Sequence, residues 1–595
     1  MIDILDKSDC TGCALCHDVC PNGAITMIPD SVTGFLFPVI NKDCCIKCNL
    51  CEAKCPSLNL VAKAKNVLNA FAVNNKNIEI RFDSTSGGVF ASLANYFYIM
   101  NGAVVGAVWK NKYEVIQIAS TNKDDLPNLM LSKYIQSNSC EVYTKVKDLL
   151  RKGVKVLFVG LPCQIAAIRS ICEAEDNLYT VDLVCKGVPS PLVWRKYIDS
   201  IESSIGKTII CHRSKDKEYG WKRLGVRVDF DDTTVDYHSG SEDDFVRLYS
   251  RNVIMRDSCY HCKYRGIERV GDLTLGDCWG VEHLSPKLDD NCGTSMVFIN
   301  TKKGADLYSQ ICDSFDAVSF KAEDIDKYNK GISSNFVVDE LWRREFWRDI
   351  NNYPFKYVVE KYASITAPKG INKFLKKCYN IYCKLGQVTG FRIRPLCQFI
   401  KYNFFSKHII RHNGALLYPS TYCNFSFEDG AVIELYGDFM FGDSRMKNTT
   451  RESRIFMRQN SKIIIRKQCH ISEGADIEMH RGAVWSMDTF YANFNLEVSC
   501  GELIDMRDDV GAGRKVTIRD YNGHLIAKNG FLISAPIIIE NHTWLCSGCT
   551  IMPGVHIGTG AIISANAYVA SNVPPYTIMS GKPAVIMGKD VKHQI

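Results

Sequence analysis

The C-terminal part of the chain shows a hydrophobic pattern with a period of six residues. A large aliphatic residue occupies every sixth position at Ile539, Leu545, Ile551, Ile557, Ile563 and Val569. The position four residues after each of them holds a small residue in most of the hexads. Earlier in the chain, Ile465, Ile471 and Ile477 are also six residues apart. A six-residue step fits one flat side of a triangular β-helix coil, with the aliphatic side chain inside and the smaller residue at the corner. We therefore predict a parallel β-helix over residues 413–595.

The middle of the chain has a different pattern, in which strand-like apolar runs alternate with helical ones from about residue 68 to 335. This alternation is typical of an α/β domain. Residues 156–159 predict a buried strand that leads into the turn 160–164, and residues 181–184 predict another that leads into 185–191. Ligands of open parallel sheets bind at the carboxyl ends of strands. Cys163 and Cys185 follow two such ends.

Length and composition predict the number of domains and the cellular compartment. A chain of 595 residues with 46% hydrophobic and 23% charged residues predicts two to four globular domains, and a net charge of +7 is modest at this length. The first seven residues lack the features of a signal peptide, and no apolar run reaches the roughly 20 residues that span a bilayer. We therefore expect a cytoplasmic protein, in which the 27 cysteines serve metal binding or catalysis rather than disulfides.

Eight cysteines near the N-terminus form two matched runs with the spacing C-x₂-C-x₂-C-x₃-C-P. The first run is Cys10, Cys13, Cys16 and Cys20, and the second is Cys45, Cys48, Cys51 and Cys55. This is the spacing of bacterial two-cluster ferredoxins, in which the fourth cysteine of each run ligates the other cluster. One [4Fe–4S] cluster should therefore bind Cys10, Cys13, Cys16 and Cys55, and the other Cys45, Cys48, Cys51 and Cys20. The alternative, zinc, does not need two matched triplets.

A small turn, Ser84-Thr85-Ser86-Gly87-Gly88, precedes the apolar helical stretch 89–100. Backbone N–H groups at such a helix start suit a phosphate group, although an ordinary helix cap would have the same sequence. The turn alone does not decide between the two.

Six ordered motifs in residues 68–335 resemble the beta subunit of coenzyme F-420-reducing hydrogenases and dehydrogenases. They are Ser86-Gly87-Gly88, Ser132-Lys133-Tyr134, the segments 160–164 and 185–191, Cys259-x₂-Cys262, and Gly276-Asp277-x-Trp279-Gly280. The resemblance implies an FAD-containing oxidoreductase, with Ser86, Gly87, Gly88, Ser132 and Lys133 as candidate cofactor-binding residues. It also suggests a third [4Fe–4S] cluster on Cys163, Cys185, Cys259 and Cys262. The alternative is that Cys163 and Cys185 are small buried residues at strand ends.

Residues 367–412 carry ten Lys or Arg and no Asp or Glu, with aromatic residues between them. A basic aromatic stretch can lie on an anionic membrane surface. The alternative, which the sequence favours, is a pair of linker helices that pack their aromatic face on a neighbouring domain. We expect no nucleic-acid binding, since no fold that reads bases accompanies the charge. A helical basic linker is predicted for residues 336–412.

The sequence 572–584, NVPPYTIMSGKPA, resembles hexapeptide-repeat O-acetyltransferases that act on sugars. This resemblance implies a left-handed β-helix, a homotrimer, and acetyl-CoA bound between neighbouring subunits. The catalytic base of the family falls on His524, in a loop that breaks the hexads. A nearby carboxylate such as Asp520 would fix its tautomer. His542 is a competing base, but it lies inside a regular hexad and is expected on the coil surface.

The sequence thus predicts a multidomain fusion: an α+β ferredoxin domain (1–60), an α/β flavin-type reductase domain (68–335), the linker (336–412) and a left-handed β-helix acyltransferase domain (413–595). We expect an iron–sulfur flavin oxidoreductase joined to an acetyl-CoA-dependent sugar O-acetyltransferase of surface-polysaccharide synthesis. A rival hypothesis gives the β-helix only a trimerising role, beside electron transfer to a partner protein. The sequence identifies neither the electron donor or acceptor nor the sugar or glycan substrate.

Overall fold

The protein is represented by a computed structural model that describes residues 2, 5–64, 67–172, 175–218, 220–334, 336–363, 393–443, 451–524 and 532–593. The chain forms two compact units, residues 1–365 and residues 366–595. Each unit has its own hydrophobic core, so the protein is a multidomain chain of mixed α/β content.

The first unit contains fourteen strands among the described residues. They are β1 (Ile25–Pro29), β2 (Leu36–Ile40), β3 (Asn69–Asn75), β4 (Ala103–Asn111), β5 (Glu114–Ser120), β6 (Ser137–Asn138), β7 (Val156–Gly160), β8 (Leu178–Leu183), β9 (Ile209–Asp216), β10 (Gly225–Phe230), β11 (Val235–Ser239), β12 (Leu273–Asp277), β13 (Ser295–Ile299) and β14 (Phe315–Phe320).

The described α-helices of this unit also number fourteen. They are α1 (Leu15–Asp18), α2 (Leu50–Ala53), α3 (Ile78–Asp83), α4 (Val89–Ile99), α5 (Leu126–Leu129), α6 (Val142–Arg151), α7 (Pro162–Arg169), α8 (Pro191–Ile205), α9 (Asp244–Ser250), α10 (Val281–Leu284), α11 (Lys302–Ser309), α12 (Ala322–Asp326), α13 (Glu340–Asn352) and α14 (Phe355–Tyr362).

The centre of the first unit is a nine-stranded sheet in the order β14-β3-β13-β12-β8-β7-β4-β5-β6. Strands β12, β8, β7 and β4 run parallel, whereas β13, β3 and β14 are antiparallel to their neighbours. Because β7 and β8 are parallel, their carboxyl ends at Gly160 and Leu183 meet at one edge of the sheet. Cys163 and Cys185 follow these two ends, as the alternating pattern predicted.

A second, antiparallel sheet of β9, β10 and β11 and the helices α13 and α14 depart from the predicted plan. The linker was predicted to begin at residue 336, but Phe346, Trp347 and Val358 are buried in one core cluster with Trp194 of α8. Helix α13 packs on α14, and α14 contacts α8 and α9, so residues 340–362 belong to the first unit. Residues 364–392 of the predicted linker lie outside the described residues.

The second unit begins with α15 (Ile393–Ile400), which continues as a π-helical turn over Lys401–Phe405. Its described strands are β15 (Ile409–Arg411), β16 (Leu417–Pro419), β17 (Cys423–Phe427), β18 (Val432–Leu435), β19 (Phe439–Asp443), β20 (Ser453–Met457), β21 (Lys462–Ser472), β22 (Asp476–Met479), β23 (Val484–Ala492), β24 (Glu497–Cys500), β25 (Leu503–Met506), β26 (Val510–Ala512), β27 (Thr517–Arg519), β28 (Ile537–Ile539), β29 (Trp544–Leu545), β30 (Thr550–Ile551), β31 (His556–Ile557), β32 (Ile562–Ile563), β33 (Tyr568–Val569), β34 (Ile578–Gly581) and β35 (Ala584–Gly588).

These strands stack in parallel, and the last coils repeat after every third hexad. Ile539 pairs with Ile557, Leu545 with Ile563, and Ile551 with Val569. All six side chains are fully buried. Three strands of one hexad each therefore make one coil, with the aliphatic residues inside, as the six-residue period predicted.

One coil is longer than those that follow it. Met506 of β25 pairs with Ile539 of β28, and Thr517 of β27 pairs with Thr550 of β30, so both of these steps exceed three hexads. The additional residues lie between β27 and β28. This insertion contains His524.

Candidate functional sites

The eight N-terminal cysteines line two separate cavities of the first unit. Cys10, Cys13 and Cys16 line the first cavity together with Cys55. The second cavity is lined by Cys20, Cys45, Cys48 and Cys51. Each cavity thus takes three cysteines from one run and the fourth from the other run, which is the crossed arrangement predicted from the spacing.

The surroundings of these cysteines suit thiolate ligands of an iron–sulfur cluster. Burial, and then the neighbouring Cys13, Cys10 and Cys55 thiols, raise the pKa of the Cys16 thiol, so the four sulfurs lie close together. The raised pKa favours the protonated thiol until a bound metal replaces the proton. The backbone amide of Ala24 points at the Cys20 sulfur at 3.2 Å. N–H donors to ligand sulfurs are a common means of tuning such clusters.

A third group of four cysteines comes together at the sheet edge. The pKa of the Cys163 thiol is raised by burial and then by four neighbouring thiols, those of Cys262, Cys185, Cys13 and Cys259. The backbone amide of Val188 points at the Cys259 sulfur at 3.4 Å. The structure therefore brings together all four predicted ligands, and it places Cys163 beside Cys13 of the first cavity.

The ferredoxin-like segment is held on the rest of the first unit through the backbone of its cysteine loop. The Tyr143 hydroxyl donates to the Cys13 carbonyl at 2.8 Å, and Arg256 Nε donates to the Cys10 carbonyl at 2.6 Å. Asp18 accepts hydrogen bonds from the backbone amides of Glu141 and Tyr143 at the start of α6. Loop and helix therefore fix each other's position.

A cavity of about 630 Å³ lies at the same edge of the nine-stranded sheet and reaches Cys185. Lys133, Lys186 and Lys215 line it, and aromatic side chains form much of its remaining wall. Gln117 Oε1 is buried in this wall without a hydrogen-bond partner among the described residues. A large, partly apolar cavity with cationic groups and an open acceptor fits an anionic aromatic cofactor such as a flavin nucleotide.

The predicted cofactor residues divide into two groups. Ser86, Gly88, Ser132 and Lys133 line the cavity. Gly87 is set back from it: its amide donates to the Ser295 hydroxyl at 2.8 Å, and a Cβ atom at Gly87 would lie 2.4 Å from the Val73 carbonyl. The close approach that requires glycine at position 87 is therefore to strands β3 and β13, and not to a phosphate.

Lys133 organises the cavity wall. Its ammonium group donates to the carbonyls of Asn128, Met130 and Leu131, the last of which has a positive φ of 66°. Burial lowers the pKa of Lys133 to about 7. All three N–H donors are used by the turn, so Lys133 contributes charge and shape rather than a free hydrogen-bond donor.

Lys215 is a site residue that the sequence analysis missed. Its ammonium group pairs with Asp277 and lies 5.0 Å from the ring centre of Trp279, which stacks on Trp221 at 4.5 Å. The Gly276-Asp277-x-Trp279-Gly280 motif signalled two of these residues. Lys215 could not be found in the same way, because it comes from β9 of the unpredicted antiparallel sheet.

In the second unit, His524 is an exposed residue of the loop that starts at Asp520. The two ends of this loop are joined, since Asn522 and Ile533 share a backbone hydrogen bond of 2.8 Å and Tyr521 pairs with Ser534. Residues 525–531 lie outside the described residues. The base of the insertion is therefore closed by these two contacts, and His524 follows the base as an exposed residue.

Asp520 does not have the predicted role. Its carboxylate is fully buried and accepts hydrogen bonds from the backbone amides of Gly501, Glu502 and Leu503, with no bond to His524 among the described contacts. Burial raises its pKa. Asp520 anchors the base of the loop on the neighbouring coil.

His542 also differs from its prediction as a surface residue. Its side chain is 1% exposed, with Nδ1 at 2.8 Å from Asp509 Oδ2 and Nε2 at 3.0 Å from the His593 carbonyl. Both ring nitrogens are engaged, Nδ1 by Asp509 and Nε2 by the segment around His593. Of the two histidines, only His524 is accessible to a substrate.

None of the described helices is long and apolar enough to cross a membrane. No group of three or more His, Cys, Asp or Glu in the same residues is arranged around a single metal ion.

Three family models match separate parts of the chain. Residues 9–59 match the 4Fe-4S dicluster domain, and residues 153–325 match the C terminus of the coenzyme F420 hydrogenase/dehydrogenase beta subunit. Residues 536–571 match six repeats of the bacterial transferase hexapeptide. The chain thus joins three segments, each of which matches a different family. This confirms the three resemblances found in the sequence.

Similar proteins are found for the C-terminal part of the fusion. A galactoside O-acetyltransferase of Escherichia coli is 33% identical over 122 residues, which is 20% of this chain and 56% of that protein. A putative lipopolysaccharide biosynthesis O-acetyl transferase, WbbJ, from the same species is 28% identical over 18% of this chain and 62% of that protein. The chain thus spans only about half of the length of these curated relatives.

A solved structure is similar to the first part of the fusion. The F420-reducing [NiFe] hydrogenase complex of Methanosarcina barkeri contains a chain with 16% identity and a TM-score of 0.31, over 50% of this chain and 92% of that one.

Proposed function

We propose that this protein is bifunctional: the first unit exchanges electrons with an organic two-electron substrate, and the second unit transfers an acetyl group from acetyl-CoA to a sugar hydroxyl. The two activities are supported by different observations and are tested separately. The cytoplasmic location predicted from the sequence is part of the same proposal.

The redox activity rests on one observation, the continuous series of cysteine sites that ends at the large cavity. Cys163 of the third group neighbours Cys13 of the first cavity, and Cys185 of the third group lines the large cavity. The twelve cysteines would hold three [4Fe–4S] clusters, which carry electrons singly. The proximity of Cys163 to Cys13 and the position of Cys185 in the cavity wall favour electron transfer from the first cavity through the third group to the large cavity.

The large cavity would hold FAD, which takes electrons singly and releases them in pairs when bound. Lys186 and Lys215 supply positive charge to its wall, and the exposed Lys330 supplies more at its edge. Gln117 offers an acceptor to a ring N–H. Trp279, stacked on Trp221, excludes water from one side of the cavity.

The acetyl transfer rests on His524. As the general base, its imidazole removes the proton of a sugar hydroxyl while the hydroxyl oxygen attacks the thioester carbonyl. The C–S bond of acetyl-CoA then breaks, and the proton passes from the imidazolium to the departing CoA thiolate. The sugar acetate and free CoA are the products, and His524 returns to its neutral form.

We further infer that the coil is left-handed and that the protein is a homotrimer, as the hexapeptide resemblance implies. The WbbJ relative carries lipopolysaccharide biosynthesis in its name, which supports a glycan as acceptor and surface-polysaccharide synthesis as the process. The rival function, in which the β-helix only trimerises an electron carrier, predicts that acetyl-CoA is neither bound nor consumed.

One experiment separates the two functions. The protein is incubated anaerobically with acetyl-CoA and a set of nucleotide sugars, and products are measured by mass spectrometry. A mass increase of one acetyl group on a sugar, dependent on His524, supports the proposal. Reduction of a dye by the clusters without any consumption of acetyl-CoA supports the scaffold function instead.

A further inference from the structure

The segment Ile393–Arg411, which contains α15, the π-helical turn and β15, has one face packed against the start of the coil. Phe399 and Tyr402 are buried there, with Phe399 against Tyr418 and Tyr402 against Phe425. The Asn403 side chain donates to the Leu417 carbonyl at 2.7 Å and accepts from the Leu417 amide at 2.9 Å. This segment therefore caps the first coil and is fixed in orientation. We call it the cap segment.

The opposite face of the cap segment is apolar and exposed. Ile393 is 81% exposed and Phe405 is 80% exposed, and three further exposed residues lie between them, Cys397, Ile400 and Phe404. Residues 393, 397, 400 and 404 follow the spacing of one helical face. A contiguous exposed apolar row of this kind marks an interaction surface rather than scattered surface residues.

Every charged residue of the cap segment is a cation. Arg394, Lys401 and Lys407 are exposed beside the apolar row, and residues 393–411 contain no Asp or Glu. Contact between copies of this face would bring like charges together. An anionic partner without a shaped groove would accept both the cations and the protruding phenylalanines. An anionic lipid surface has these properties, because aromatic side chains enter the headgroup region while cations pair with lipid phosphates.

We propose that the cap segment binds the surface of an anionic lipid bilayer. Phe404 and Phe405 insert at the boundary between headgroups and acyl chains, and Arg394, Lys401 and Lys407 lie among the lipid phosphates. Because Phe399 and Tyr402 are packed against the coil, the exposed face is already ordered before binding. Little conformational entropy of the cap segment is therefore lost when it binds. The coil is thereby held at a membrane surface without a membrane-spanning helix.

The test is co-sedimentation of the full-length protein with vesicles of phosphatidylcholine, with or without about 30% phosphatidylglycerol. We expect binding to the anionic vesicles that weakens with added salt. The triple variant Arg394→Gln, Lys401→Gln, Lys407→Gln should bind about a hundredfold more weakly, at about fivefold for each cation. The double variant Phe404→Ser, Phe405→Ser should lose at least about tenfold.

Matched control variants keep the number and type of changes. Lys123, Lys145 and Lys152 are exposed lysines of the first unit, and Ile99 and Leu341 are exposed apolar residues at 78% and 72%. Their substitution by Gln and by Ser, respectively, should leave vesicle binding unchanged. Iron content and circular dichroism show that each variant is folded.

Two results would overturn the proposal. Wild-type protein that does not sediment with anionic vesicles at low salt has no such surface. Dissociation of the oligomer by the phenylalanine variant, measured by light scattering, would show that this face joins copies of the chain.

Discussion

The hydroxyl group of Tyr143 on α6 donates a hydrogen bond of 2.8 Å to the backbone carbonyl of Cys13. Tyr143 is fully buried. In the opposite direction, the Asp18 carboxylate accepts hydrogen bonds from the first backbone amides of α6. A cysteine loop with such contacts is part of the first unit's core rather than a tethered module. The separation between the first cavity and the third cysteine group is therefore fixed by packing.

The iron content follows from the three cysteine groups. Protein purified without oxygen should carry about 12 irons, four for each of three cubes. The variant Cys259→Ser, Cys262→Ser should retain about 8, together with the electron paramagnetic resonance signals of the N-terminal clusters. Cys312→Ser, outside all three groups, is the control. Wild-type protein with only about 8 irons would contradict a third cluster.

Flavin binding should depend on the charge at the edge of the large cavity. Lys330 is exposed and lines the cavity, whereas Lys321 is exposed but does not line it. Because the FAD pyrophosphate is anionic, Lys330→Glu should weaken FAD binding by about tenfold. Equilibrium dialysis of flavin-free protein against added FAD measures this affinity. Lys321→Glu should bind FAD as the wild type does. Equal effects of both substitutions would place the flavin elsewhere, and a wild-type protein that binds no flavin would exclude the reductase activity.

Acetyl transfer should require His524, and electron transfer should not. His524→Ala removes the proposed general base, so the rate of acetylation should fall by roughly 10² to 10⁴. The same variant should still trimerise and reduce an artificial dye, since the buried hexads and the cysteines are unchanged. Cys48→Ser should show the opposite pattern, with impaired dye reduction and normal acetylation. Normal acetylation by His524→Ala would mean that another group is the base.

Asp520 should matter for stability rather than for proton transfer. Asp520→Ala leaves three partly buried backbone amides without their acceptor, which should lower the free energy of unfolding of the second unit by about 2–4 kcal/mol. The remaining folded protein should acetylate within about threefold of the wild-type rate at low temperature. Thermal unfolding and initial rates measure the two effects. A loss of rate as large as that of His524→Ala, in protein of normal stability, would return Asp520 to a catalytic role.

The stability of the first unit should fall as the pH rises above neutral. Burial alone would lower the pKa of His238, but its hydrogen bonds to Asp236 and Asp243 outweigh burial and raise the pKa to about 10. A histidine with a raised folded pKa stabilises fully below about 6.5, and this stabilisation is lost as the pH rises towards 10. The melting temperature should therefore drop by a few degrees over this range.

The comparison for this pH effect is His238→Gln, which cannot carry the charge and should melt at a temperature that changes less with pH. His283→Gln, at an exposed histidine of the same unit, should retain the wild-type dependence. An unchanged pH profile in His238→Gln would assign the effect to other groups.

Spacing in the sequence predicted those features that depend on local periodicity. The hexads predicted the coil, because each buried aliphatic residue stacks on its equivalent three hexads later. The two cysteine runs predicted the crossed cavities in the same way, and the strand ends predicted the common edge of Cys163 and Cys185. Each of these features is determined by the spacing of residues that are close together in the sequence.

Features that depend on distant packing could not be read from the sequence. Gly87 is required by the approach of β3 and β13, which lie near opposite ends of the first unit's sequence. Asp520 is satisfied by amides of the preceding coil, so its proximity to His524 in sequence was misleading. Helices α13 and α14 were predicted as a linker because their buried faces pack on each other and, for α14, on the distant helices α8 and α9.

The crossed cysteines have a consequence for biosynthesis. Each of the two N-terminal cavities has three cysteines from its own run, and Cys20 and Cys55 are exchanged between them. A nascent chain that has emerged only as far as Cys51 can complete one ligand set but not the other. When one cluster binds both Cys10 and Cys55, it closes a loop that contains all the residues between them. Metal loading of the N-terminus should therefore occur in two steps, and synthesis interrupted after Cys51 should leave Cys10, Cys13 and Cys16 without their fourth ligand.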